Sequence, residues 1–78
     1  MVGSKSLGMT KLKDVSVLYN IQAINQDEKN YLVNLCRNMM YCDTDMYTRL
    51  FTTKLRECAA RFKQGSFEHE TIMNMVWR

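Results

Sequence analysis

The stretch Lys13–Ile24, KDVSVLYNIQAI, reads two ways, and the choice between them sets the fold. As a helix it puts Val15, Leu18, Tyr19 and Ile21, with Leu12 just before them, roughly on one side. As a strand it sets Val15, Val17, Tyr19, Ile21 and Ala23 against Ser16, Leu18, Asn20 and Gln22, and only Leu18 breaks the period of two. Its β-branched and aromatic residues suit a pleated surface. A lone strand needs a partner to be stable, which tips residues 14 to 23 toward helix. The strand is the alternative.

Downstream the helical signals are firmer. Asn25 followed three residues later by Glu28 has the form of a capping box, with Asn in place of Ser or Thr. Leu32, Leu35, Cys36 and Met39 then recur at helical spacing, with Tyr31 and Cys42 at the stripe's edge and Asn30, Asn34 and Arg37 opposite. This second helix should end near Tyr41. In the following CDTD, Asp43, Thr44 and Asp45 can accept bonds from free amides at a helix start. A third helix is expected from about Asp45 to Gln64, with a core stripe of Tyr47, Phe51, Leu55, Cys58 and Phe62 and with Gly65 as C-cap. Ser66 caps a short fourth helix, whose Phe67, Ile72, Met73, Val76 and Trp77 should fold back onto the bundle. Upstream, residues 1 to 9, with Gly3, Gly8 and serines, read as a flexible arm, and residues 10 to 78 as one helical domain. The fold expected is all-α, a small bundle of three to four short helices.

The strand alternative gives a different architecture. With VSVLYNIQ extended, the order strand, helix, helix over roughly residues 13 to 62 resembles the ribbon-helix-helix DNA-binding dimers. That resemblance implies two chains pairing their strands, with Ser16, Leu18, Asn20 and Gln22 facing the major groove. The chain departs from the pattern in its apolar Leu18, in a CDTD turn without glycine, and in an extra fourth helix.

Composition bounds the function. The 78 residues suffice for one domain, 46% of them are hydrophobic, and proline is absent. So apolar a short chain is expected to gain burial by self-association or with a partner. No run approaches the roughly 20 apolar residues of a membrane span. MVGSKSLGMT lacks the apolar core of a secretory signal, and Val2 excludes the myristoylation pattern. Cys36, Cys42 and Cys58 are odd in number and read as reduced thiols of a cytoplasmic protein, or a nuclear one in a eukaryotic host.

Those cysteines and His69 make a formal zinc set, but with five, fifteen and ten intervening residues there is no close ligand pair. Buried thiols are the simpler reading, and no metal or cofactor is expected. DTDMYTRL lacks the glycine of a calcium loop and carries Lys54 where the final Glu belongs. The only histidine, His69, lies beside Glu68 and Glu70, and neighbours in sequence on a helix do not face each other. A Cys58–His69 dyad would need the tertiary fold to bring the two together, and a nucleophile also needs its base oriented by a third group. No enzymatic activity is expected.

The remaining signal is charge. The net charge is +3, and Asp45 to Gln64, with five bases and two acids, carries +3 by itself. At 100° per residue, Arg49, Arg56 and Lys63 fall within about 40° of one another, opposite the core stripe, and Lys54 and Arg61 form a flanking row. Thr48 and Thr52 could add hydroxyl contacts to a phosphate. Lys and Arg also serve simply as good helix formers on a wet face. The candidate binding residues are therefore Arg49, Arg56, Lys63, Lys54, Arg61 and Thr52, with Met40, Met73 and Met75 as pliable apolar contacts. The function expected is a small non-enzymatic module acting through protein–protein interaction, a viral, phage or bacterial regulator. The alternative is a DNA- or RNA-binding regulator using the basic third helix.

Overall fold

The computed structural model describes residues 3–42 and 45–77, with side chains from residue 8 onward. Among the described residues four helices follow one another: α1 (Gly3–Asn20), α2 (Gln26–Tyr41), α3 (Asp45–Ala59) and α4 (Phe67–Val76). Helix α1 lies along α2, α2 against α3, and α3 against α4. There is no strand among the described residues, so the all-α reading holds and the ribbon-helix-helix alternative falls. Burial shows why. Val15 and Leu18 are 1% and 0% exposed while Val17 and Tyr19 face solvent, which is a helical pattern and not a period of two.

What ends α1 is a turn the sequence did not advertise. Gln22 has φ +63°, in the left-handed region. Its N–H donates to the Tyr19 carbonyl at 3.1 Å, and the Ala23 N–H donates to the Leu18 carbonyl at 2.9 Å. These are the two bonds of a Schellman C-cap, and Leu18 and Ala23 are both buried in the core. Glycine usually holds the left-handed position, because a Cβ there costs about 1 kcal/mol or more. Gln22→Gly is therefore expected to stabilise the fold by about 0.5–1 kcal/mol, read as a higher denaturation midpoint in urea.

Helix α1 also takes in residues 3 to 9 of the segment read as an arm. Gly8 is the reason that end packs. A Cβ on it would stand 2.5 Å from Met40 Cγ and 2.9 Å from the Cys36 carbonyl oxygen. The glycine is a close helix contact, not a loosening device. Helix propensity alone would have Gly8→Ala stabilise by about 1 kcal/mol. Overpacking against a backbone oxygen should outweigh that, for a net loss of about 1 kcal/mol in the same urea titration.

Helix α2 starts as expected. Asn25 Oδ1 accepts from the Glu28 N–H at 2.8 Å, and the Asn25 N–H donates to Glu28 Oε1 at 2.9 Å. Its apolar stripe of Leu32, Leu35, Cys36 and Met39 is buried. The capping expected of Asp43 and Thr44 lies outside the described residues, while Asp45 does sit in the first turn of α3.

Helix α3 stops at Ala59, five residues short of the expected Gln64. Past that point the chain tightens: the Arg61 N–H donates to the Cys58 carbonyl at 3.2 Å and the Phe62 N–H to the Ala59 carbonyl at 3.0 Å. Gly65, with φ +89°, occupies the left-handed corner of a turn closed by the Ser66 N–H on the Lys63 carbonyl at 2.9 Å, so it shapes that turn and does not cap α3. Ser66 then caps α4, accepting from the His69 N–H at 3.2 Å.

The core combines Val15, Leu18 and Ile24 with the α2 stripe, Phe51, Leu55 and Cys58 of α3, and Ile72 and Met75 of α4. Two expectations for α4 are corrected. Phe67 and Trp77 do not fold back and are largely exposed, because Ile72 and Met75 already fill the inward face. Met75 is for the same reason a core residue and not a pliable surface contact. Lys11, also buried, lays its ammonium over the Phe51 ring, 5.1 Å from its centre.

Candidate functional site

The basic segment is divided by the early end of α3. Arg49 and Arg56 remain on the exposed face of the helix, seven residues and so about 10 Å apart. Lys63 lies beyond the helix end and does not extend their row, so the expected ridge is shortened to two arginines. Thr52 is half-buried between them and the core stripe.

Arg61 is partly exposed but its guanidinium is committed elsewhere. Its Nη1 donates to Glu28 Oε2, and its Nη2 donates to Glu28 Oε1 at 3.0 Å and to the Ala23 carbonyl at 2.9 Å. This forked grip joins the end of α3 to the loop before α2 and to the capping box at once. The Arg61 hydrogen bonds hold the Glu28 carboxyl below the usual range of glutamates, against the opposing effect of burial. Cys58 Sγ leans on the same carboxylate, donating to Oε2 at 3.7 Å. Arg61 is thus a structural clamp, where the sequence made it a binding candidate.

Lys54 is partly engaged as well. Its ammonium is 3.7 Å from Glu57 Oε1 and stands over the Tyr31 ring, 5.7 Å from its centre. Arg56 lies over the exposed indole of Trp77 at 5.7 Å. Arg49 has no ion pair among the described residues.

The outward face of α3 carries more than charge. Met46 and Leu50 are 54% and 41% exposed, and Tyr31 of α2 is exposed beside them. Two shallow depressions adjoin there. One, of about 310 Å³, is lined by Asp45, Met46, Arg49, Leu50 and Thr53. The other, of about 210 Å³, is lined by Tyr31, Leu50, Thr53, Lys54 and Glu57. Leu50 and Thr53 belong to both, so the two form one groove along α3. No protein-family model, curated protein or solved structure matches this chain.

The cysteines and the histidine stand apart from this groove. Burial pushes the Cys36 thiol up to about 11 and raises that of Cys58, so both are protonated at neutral pH. The hydrogen-bond partner of Cys58 is Glu28, and His69 Nδ1 lies 3.4 Å from Glu70 Oε2. Cys42 is exposed at the C-cap of α2. Among the described residues no three His, Cys, Asp or Glu side chains are gathered to hold a metal ion, and no helix is long and apolar enough to cross a membrane.

Of the expected apolar contacts, Met40 packs near Gly8 and Met73 is half-buried. Leu50 borders the α3 core stripe and Met46 lies beyond it on the outward side, and periodicity alone does not mark an apolar residue there as part of a surface. Their pairing with exposed Tyr31 becomes visible only once α2 and α3 are side by side.

Proposed function

We propose that this chain is a small non-enzymatic binding module, a regulator that acts by docking a protein partner on the outward face of α3. The groove formed by the two depressions sharing Leu50 and Thr53 carries this reading. It offers exposed apolar side chains on a rigid helix, with polar residues around them, as partner-binding surfaces do. Its shallowness suits a docked side chain better than an enclosed substrate. The three free cysteines, two of them buried, support a reducing compartment such as the cytoplasm.

A photo-crosslinking residue at Leu50, introduced in the native host, tests the reading. A discrete adduct is expected there and none from the same residue at Lys13 on α1. No adduct at position 50, or equal yields at both, would overturn it.

The second reading, binding of DNA or RNA, is supported by the exposed Arg56–Trp77 pair. An aromatic ring next to a cation can stack a base while the arginine meets phosphate. With Arg49 and Arg56 as its two phosphate contacts, a duplex-binding salt slope of only about 2 is expected.

A further inference from the structure

The groove also restricts what can occupy it. On the α3 helical wheel Met46 and Leu50 lie within about 40° of each other, and Arg49 and Arg56 within about 20°. The two rows run side by side about 90° apart, with Thr53 between them. One row is apolar and continued by Tyr31; the other is basic. The two acids that line the groove, Asp45 and Glu57, are each compensated locally. Glu57 is paired with Lys54, and Asp45 sits at the positive end of the α3 dipole. Arg49 lines the first depression and Arg56 continues its row beside the second, and neither has an ion pair among the described residues.

We propose that the occupant is an acidic amphipathic helix. Its apolar residues, at helical spacing, enter the depressions at Met46, Leu50 and Tyr31, and its carboxylates face Arg49 and Arg56. This inference rests on the docking reading above and names the partner's chemistry. A helix lying in a groove is a common recognition mode, read by anchors at i, i+3, i+4 and i+7. A second copy of this chain fits less well. Docked about a twofold axis near Thr53, it would bring Arg49 of each chain against Arg56 of the other, and like charges at close range disfavour that pairing.

The test uses two fluorescently labelled synthetic peptides, each three heptads long, with leucine at a and d positions. One has Glu at the flanking positions and the other has Lys. Anisotropy titrations of the full chain should show the Glu peptide binding at least ~10-fold more tightly, a difference of about 1.4 kcal/mol. The double variant Arg49→Glu/Arg56→Glu should invert that order. Leu50→Asp should abolish binding of the Glu peptide while leaving the circular dichroism melt in place, because Leu50 is exposed. Met46→Gln, also at an exposed site, should weaken it in the same direction and serves if the Leu50 variant fails to fold.

Equal or tighter binding of the Lys peptide, still dependent on Leu50, would overturn the acidic partner and leave protein docking standing. If neither peptide binds, but a single-stranded oligothymidine binds through Arg49 and Arg56, both the acidic partner and the docking reading fall. Sedimentation showing a dimer abolished by Leu50→Asp would overturn the acidic helix in favour of a second copy.

Discussion

Phe51→Ala is expected to remove about 3–5 kcal/mol, a third or more of the stability of the fold. Phe51 is the largest fully buried side chain, at 1% exposure, and lies in the helix that touches both α2 and α4. Truncating a buried Phe costs about 3–5 kcal/mol, part of it lost transfer energy and part the cavity left behind. A chain of 78 residues has only about 4–12 kcal/mol in total, at about 0.05–0.15 per residue. The site has an added penalty. The Lys11 ammonium, buried over the ring, would face a void in place of an aromatic surface. Thermal melts followed by far-ultraviolet circular dichroism should show the midpoint lowered by about 15 °C or more, whereas Phe51→Leu should lower it much less. A Phe51→Ala protein that melts cooperatively within a few degrees of the parent would mean that the core is not organised around this ring.

Arg61→Ala is the next most damaging change. It removes the fork on Glu28 and leaves the Ala23 carbonyl without its 2.9 Å donor. Hydrogen bonds to charged groups contribute about 1.5–3 kcal/mol each when buried, and Arg61 is partly exposed, so a loss of about 2 kcal/mol is expected. For a domain of this size that is a fall in Tm of about 10 °C. Arg61→Lys should recover little, because an ammonium cannot reproduce the fork.

The same clamp predicts a pH dependence, and its sign follows from Glu28. Its carboxyl is held low in the folded chain and returns to about 4.3 on unfolding. The unfolded state therefore binds the proton more readily in the window between the two values. The clamp's contribution is complete above pH ~4.3 and is lost as pH falls through the lowered folded value. Urea titrations at pH 7 and at pH 3 should show the difference between parent and Arg61→Ala shrinking in acid. An unchanged difference would mean that Glu28 is not the residue Arg61 serves.

These two residues mark what the sequence could and could not say. Helix α2 was legible because its start signal is local: Asn25 and Glu28 satisfy each other's amides within four residues. The start of α4 at Ser66 was legible for the same reason. The end of α3 was not. Ala59, Ala60 and Phe62 keep the helical period, and the partner that engages Arg61 lies 33 residues earlier. The turn after α1 was hidden because Gln22 occupies a position where glycine is the usual marker. Gly8 suggests looseness in the sequence because its role needs a neighbouring helix to be seen. The binding candidates followed the same division. Arg49 and Arg56 stay outward because they sit opposite the core stripe on one helix. Arg61 and Lys63 depended on that helix continuing. The apolar half of the groove could not be read at all until Tyr31 met Leu50 across two helices.

The most direct test of the α3 docking face is residue-resolved. In ¹H–¹⁵N correlation spectra of the labelled chain titrated with the Glu-flanked peptide, saturable shifts are expected at Met46, Arg49, Leu50, Thr53 and Tyr31. Little change is expected at Lys13, Ser16 or Asn20 on α1. Saturable shifts confined to α1, or centred on Lys63 and Trp77 with the α3 groove unmoved, would contradict it.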